Sequence, residues 1–296
     1  MKYLSIAYRF SRPHTIMGST LSTLALYFMA AYPVAWPTGQ NDVLIWTLLS
    51  ALACNLYIVG LNQLTDIDID RQNKPHLPLA SGEMSASTAR WIISVSGILT
   101  LLFGLLAGYT MLVLVLVVGA LGTAYSLPPL KFKKNHFFAA LSITLVRGVL
   151  VNILMFLHFR WELWSEWGLP SFMWPLILLM ILFSVGIAWF KDIPDVEGDQ
   201  NHDIGTVAVK RGVRWAFRGA ISLVSLAYLT LILWAGVGLK SYNTDLMAVW
   251  HALALLLFWL VAYTTNPFKK VSVTRFYRAY WILFFLEYII YPLGLL

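Results

Sequence analysis

Nine of the fourteen Asp and Glu residues are concentrated in two stretches, NQLTDIDIDRQNKPHLPLASGE and KDIPDVEGDQNHD. In the first, Asn62, Asp66 and Asp70 recur every four residues, so a helix places them on one face, a turn apart. Asp68 then points about 200° away from Asp66. In the second, Asp192, Asp195 and Asp199 follow an i, i+3, i+7 stripe. Pro194 limits how far the preceding helix continues unkinked, and Gly198 permits a turn between Glu197 and Asp199. Clustered carboxylates repel one another unless a cation intervenes. Carboxylate and amide oxygens are hard ligands suited to Mg²⁺ or Ca²⁺. Arg71, Lys74, Lys131 and Lys191 flank the acids. A mixture of carboxylates and bases suits a metal together with a diphosphate, Mg²⁺ bridging the two kinds of oxygen. The plainer alternative is a pair of solvated acidic loops neutralised by lysines. Two loops matched in spacing favour metal and diphosphate.

The elements that position these residues are apolar. Hydrophobic residues make up 59% of the 296 residues and charged ones 12%, with mean hydropathy +0.72. A soluble domain carries about twice that charged fraction, so lipid is the expected solvent. Spanning helices need about 20 mostly apolar residues. Nine segments qualify, near 14–32, 43–63, 89–108, 110–127, 137–158, 172–190, 217–236, 246–264 and 276–294. The expected fold is therefore all-α: a single multi-pass domain over 1–296, with nine transmembrane helices bundled around a central cavity. The third and fourth are joined by a short turn near Gly108 and should form an antiparallel pair. With the N-terminus in the cytoplasm, of the 21 Lys and Arg only Arg160 and Lys240 fall outside, the bias of the positive-inside rule. Both acidic stretches then face the cytoplasm, four spans apart. That even offset is consistent with a parallel internal repeat, although overall self-similarity is weak. The single cysteine, Cys54, lies in an apolar run and reads as a small hydrophobe. No cleavable leader is recognisable at the start.

Arg147 lies inside the fifth expected span, where an ionisable residue is by default a functional candidate. A helix-packing arginine paired with an acid is the alternative. No phosphate-cradling glycine loop, GxSxG elbow or HExxH pair is present. The basic residues track membrane sidedness, which argues against nucleic-acid binding. His76, His202 and His251 are not spaced as metal ligands.

NQLTDIDID and DVEGD have the form of the NxxxDxxxD and DxxxD motifs of the UbiA superfamily of intramembrane prenyltransferases, which the chain resembles from SRPHT to FFLEYIIYPL. The segments NLYIVGLNQLTDIDIDRQNKPHLPLASGE, GTAYSLPPLKFKK and LVRGVLVN are most similar to its homogentisate prenyltransferase branch, particularly the cyanobacterial phytyl-transferring members. The resemblance implies nine helices and Mg²⁺ held by Asn62, Asp66, Asp70, Asp192, Asp195 and Asp199. Diphosphate contacts would come from Arg71, Lys74, Lys131, Arg147 and Lys191. Tyr125 and Lys131 best match a Tyr and a Lys that the family places near the diphosphate. Lys133 and Lys134 remain alternatives to Lys131, and Tyr125 also reads as an interfacial belt tyrosine. Catalysis would rest on Asp66, Asp70, Asp195, Asp199 and Tyr125. The expected partners are a prenyl diphosphate, with phytyl favoured, homogentisate and membrane lipid. Arg12 and His14, at the mouth of the first span, are candidates for the acceptor carboxylate. Membrane orientation is an equal reading of Arg12, and a structural hydrogen bond is the commoner role for a lone His such as His14. The implied setting is the thylakoid or plasma membrane of a cyanobacterium-like cell, in tocopherol synthesis.

Three other readings share part of this pattern. A solanesyl or geranylgeranyl transferase shares every motif above. A transporter predicts acids deep within several spans, whereas here Glu287 is the main such exception. A lipid-binding scaffold would bind Mg²⁺ without turnover.

Overall fold

The computed structural model describes residues 2–32, 41–237 and 244–295. Lys240, one of the two bases expected outside, lies outside the described residues. The α-helices in chain order are α1 Lys2–Phe10, α2 Pro13–Ala31, α3 Asn41–Thr65, α4 Ile67–Asn73, α5 Ala86–Ala107, α6 Tyr109–Ser126, α7 His136–Thr144, α8 Phe156–Trp164, α9 Met173–Asp192, α10 Val196–Asn201, α11 Val207–Arg211, α12 Val213–Val237, α13 Thr244–Tyr263 and α14 Lys270–Leu295. A π-helical stretch, Leu145–Met155, makes α7 and α8 continuous. Each expected span coincides with a long helix, counting His136–Trp164 as one. Seven of these helices are long and apolar enough to cross a membrane. The exceptions are α2 and α14. The first is diluted by His14 and several Ser and Thr, and the second carries Lys270, Arg275, Arg278 and Glu287.

The chain divides into two compact units. The first comprises residues 1–133 and 154–168. Here α3 packs against α2, α5 and α6, and α8 packs against α2 and α6. Gly108, at φ +133°, joins α5 to α6 directly. L side chains rarely adopt that conformation, and a Cβ there would collide with the Glu162 carboxylate. His158, fully buried, bridges Thr47 Oγ1 and Thr110 Oγ1, each at 2.7 Å from a ring nitrogen. A smaller core of Ile6, Phe10, Leu79, Met84 and Ala89 holds the amphipathic α1 over the segment that follows α4. Arg9 fastens the same contact through a bidentate pair to Glu83 and a bond to the His76 carbonyl.

The second unit comprises residues 134–153 and 169–296. α9 is its central helix and packs against α7, α12 and α14, while α13 packs against α12 and α14. Phe183, Phe190, Phe276 and Tyr280 interlock around α9 with ring centroids 4.8–5.1 Å apart for the closest pairs. The Tyr280 hydroxyl donates to the Phe183 carbonyl at 2.8 Å. A Cβ at Gly148 would come within 2.8 Å of the Ile181 Cα, so the π-helical stretch lies close against α9.

A fully buried polar cluster ties together α12, α13 and α14. Glu287 Oε1 accepts from the Tyr228 hydroxyl at 2.7 Å, and its Oε2 lies 2.9 Å from His251 Nε2. His251 Nδ1 is 2.6 Å from the Met247 carbonyl, which can only accept, so this nitrogen carries a hydrogen. One further proton is shared between Nε2 and the carboxyl. Glu287, the main acid that the sequence places deep within a span, is therefore partnered within its own bundle.

Candidate functional site

The first acidic motif sits on a break between helices. α3 ends at Thr65, whose hydroxyl bonds back to the Leu61 and Asn62 carbonyls at 3.1 and 3.0 Å. Such back-bonding competes with the helical ladder and bends helices. Asp66 follows at φ −120°, ψ 18° as the N-cap of α4. The turn from Asp66 to Asp70 survives, with the Asp70 N–H donating to the Asp66 carbonyl at 2.8 Å. Asp70 is consequently buried, while Asp68 is turned out with its side chain 85% exposed.

Two clusters form around these acids. Asp66 Oδ2 accepts from Asn62 Nδ2 at 3.1 Å, and its Oδ1 lies 2.6 Å from the Lys133 ammonium. That ammonium also donates to Thr65 Oγ1 at 2.6 Å. Burial pushes the Lys133 pKa down, and the Asp66 carboxylate opposes the shift. Asp70 lies 3.8 Å from both the Arg12 guanidinium and the Lys74 ammonium. Arg12 has left-handed backbone, φ 50°, at the start of α2. His76 is held below its ordinary pKa by burial first, then by Lys74, Arg12 and Arg9, with Asp70 acting against them. The face thus carries a carboxylate pair surrounded by a surplus of cations, the electrostatics of an anion site that also takes a divalent ion.

The second motif repeats the first locally. α9 ends at Asp192, and Asp195 is the N-cap of the short α10 at φ −102°, ψ 1°. The Asp199 N–H donates to the Asp195 carbonyl at 2.9 Å. Asp192, Asp195 and Asp199 are buried, and Glu197, the counterpart of Asp68, is exposed. Lys191 lies 2.7 Å from Asp192 Oδ1. Both motifs are an aspartate at the N-cap position, an outward acid two residues on and a buried aspartate four residues on.

The remaining sequence candidates are placed as follows. Arg71 lies against the exposed Asp68 at 2.9 Å rather than against Asp66 or Asp70. Lys131 has φ 38°, and the 3₁₀ turn Phe132–Lys134 that follows directs Lys133 inward. Tyr125 is half-buried at the end of α6, and His14 is exposed in the first turn of α2. Arg147 stands on the π-helical stretch with its guanidinium carbon 5.0 Å from the Trp281 ring centroid. π-Helical turns often mark functional sites. The buried Asn152 donates to the Arg147 and Gly148 carbonyls at 2.8 and 3.1 Å and accepts from the Tyr288 hydroxyl at 3.0 Å. Thr65, Asn152 and Trp281 are not singled out by the sequence, and Lys133 is named there only as an alternative to Lys131. The signal for Asn152 was present, because an amide inside a span is costly unless it is satisfied.

No three His, Cys, Asp or Glu side chains among the described residues are grouped to hold a metal by themselves. Mg²⁺ does not require such a cage. It keeps several waters and takes one or two carboxylates together with substrate phosphates. The buried aspartates and Asn62 fit that donor set.

The model of the UbiA prenyltransferase family matches residues 19–287. The homogentisate phytyltransferase of Synechocystis sp. is 40% identical, covering 100% of this chain and 97% of the relative. Homogentisate phytyltransferase 1 of Arabidopsis thaliana is 38% identical, covering 98% of this chain and 75% of the relative. A UbiA homolog from Archaeoglobus fulgidus, solved bound to DMAPP and Mg²⁺, shares the fold with a TM-score of 0.68 at 16% identity, covering 98% of this chain and 99% of that one. Motifs, helical architecture and family match agree: this chain is an integral membrane protein that belongs to the UbiA prenyltransferase family.

Proposed function

We propose that the protein is a Mg²⁺-dependent homogentisate prenyltransferase that attaches a phytyl chain with release of diphosphate and CO₂, in tocopherol synthesis. The observation that carries this reading is the aspartate hinge repeated at Asp66–Asp70 and Asp195–Asp199. The full-length similarity to homogentisate phytyltransferases supports the acceptor and the donor. We read the whole chain as one catalytic domain with nine spans and both motifs on the cytoplasmic side of a thylakoid or plasma membrane.

Asn62, Asp66, Asp70, Asp192, Asp195 and Asp199 would hold the metal. When bound, Mg²⁺ would neutralise charge developing on diphosphate oxygens as the allylic C–O bond breaks. The chain's own residues do the rest. Lys133, Lys74, Lys191 and Arg147 orient and neutralise the diphosphate, which leaves with the bonding electron pair. Lys131 and Arg71 add longer-range positive charge, and Tyr125 donates a hydrogen bond to the leaving group. Arg12 and His14 receive the homogentisate carboxylate. The electron-rich ring forms the new C–C bond to the allylic carbon and releases a proton. The acetate then loses CO₂, and the carbon it leaves takes up a proton. Apolar helices exclude water from the allylic cation.

The test is product formation by purified protein from homogentisate with phytyl, geranylgeranyl or solanesyl diphosphate. Product should appear with Mg²⁺, vanish with EDTA and return when Mg²⁺ is restored. Preference for geranylgeranyl or solanesyl diphosphate would reassign the donor, and no product with any donor would remove the reading.

A narrower expectation separates the three neighbouring lysines. Lys133→Met should lower kcat/KM by about tenfold to a hundredfold, the loss of one or two charge-assisted hydrogen bonds. Lys131→Met and Lys134→Met should each cost less. A larger effect at Lys131 in steady-state kinetics would return the contact to that residue.

A further inference from the structure

Where α12 begins and α13 ends, the second unit carries a groove of about 850 Å³, and no aspartate lines it. The buried Phe217, Ile221 and the exposed Trp259 and Tyr263 make it apolar, and Arg214 and Arg218 line it one helical turn apart. The segment 265–268 also borders it and is fastened by its own hydrogen bonds. Thr265 Oγ1 donates to the Val261 carbonyl at 2.7 Å, the Asn266 N–H to Ser272 Oγ at 3.0 Å and the Phe268 N–H to Asn266 Oδ1 at 3.0 Å. Phe268 in turn lies beneath Arg214, whose guanidinium carbon is 5.6 Å from the ring centroid.

The two arginines occupy the first two turns of a helix apolar enough to cross a membrane. Charge at that depth needs a partner or access to the interface. Among the described residues neither arginine has a carboxylate within 4.0 Å. Trp259 and Tyr263, exposed beside them, are the residue types enriched at the headgroup level of a membrane. A ligand complementary to this groove has an anionic head able to accept from two guanidinium groups and an apolar body to cover the aromatic wall. We propose that the groove binds a membrane phospholipid with an anionic headgroup, its phosphate on Arg214 and Arg218 and its proximal acyl chain along Phe217 and Ile221.

Native mass spectrometry of the purified full chain, titrated with phosphatidylglycerol or phosphatidylcholine, tests this. The unmodified protein should retain phosphatidylglycerol at least about tenfold better than phosphatidylcholine, the order expected for charge-assisted pairing. Arg218→Ala and the double variant Arg214→Ala/Arg218→Ala should lose that preference, while Arg218→Lys keeps part of it. Arg90→Ala removes an exposed base from another helix and should leave the preference unchanged. Prenyl transfer at saturating substrate reports that each variant is folded. Equal retention of both lipids by the unmodified protein, an unchanged preference in Arg218→Ala, or an equal loss in Arg90→Ala would overturn the proposal. The last result would assign the effect to diffuse positive charge.

Discussion

Asp66→Ala and Asp195→Ala should each reduce prenyl transfer by about 10³-fold or more, the rate equivalent of several kcal/mol of lost charge stabilisation. Both residues occupy the N-cap position of a short helix, and both have a buried aspartate four residues later. On the proposed function, removing either carboxylate would take away metal-binding oxygens, and removing Asp66 would also leave the Lys133 ammonium without its counter-charge. Asp68→Ala and Glu197→Ala are the matched controls, because they delete an acid from the same short helices on the exposed side. These controls should retain most of their turnover. The measurement is product formed per minute from homogentisate and phytyl diphosphate, with elution volume in detergent reporting intact protein. Turnover within about tenfold of the unmodified enzyme in Asp66→Ala or Asp195→Ala would remove the metal assignment from that motif.

Glu287→Ala should cost stability instead of chemistry, by about 3–5 kcal/mol, as expected when one partner of a buried pair is deleted. The loss strands the Tyr228 hydroxyl and His251 Nε2 in a dry bundle. Glu287→Gln should be mild, because the amide oxygen still accepts from Tyr228 and the amide N–H can donate to a neutral His251. Thermal unfolding in detergent should therefore rank the proteins as unmodified, Gln, then Ala, with a wide gap before Ala. A Gln variant as unstable as Ala would mean that the cluster needs its proton and charge rather than its hydrogen-bond geometry.

The long apolar runs made the helical architecture readable, because length and composition alone decide whether a segment can span. The aspartate spacing was readable for a similar reason: four-residue intervals keep one helix face through the break at Asp66. The break itself was not, since no Gly or Pro marks it and it coincides with back-bonding by Thr65. Choosing among Lys131, Lys133 and Lys134 depended on a left-handed residue followed by a 3₁₀ turn, and basic composition says nothing about which lysine turns inward. The pairs Asn152–Tyr288 and His251–Glu287 join residues 136 and 36 positions apart. Seeing them requires the rotation of each helix about its axis, which hydropathy does not encode in a chain apolar on every side.

Each aspartate pair hangs on a short helix of its own, Ile67–Asn73 or Val196–Asn201, appended to a spanning one. On the proposed function, the charged end of a donor would be handled separately from its hydrocarbon. Apolar walls could then be resculpted for a longer or shorter tail without disturbing the parts that would release the leaving group. A scaffold divided in this way is predisposed to diversify in isoprenoid length while its bond-breaking step stays constant.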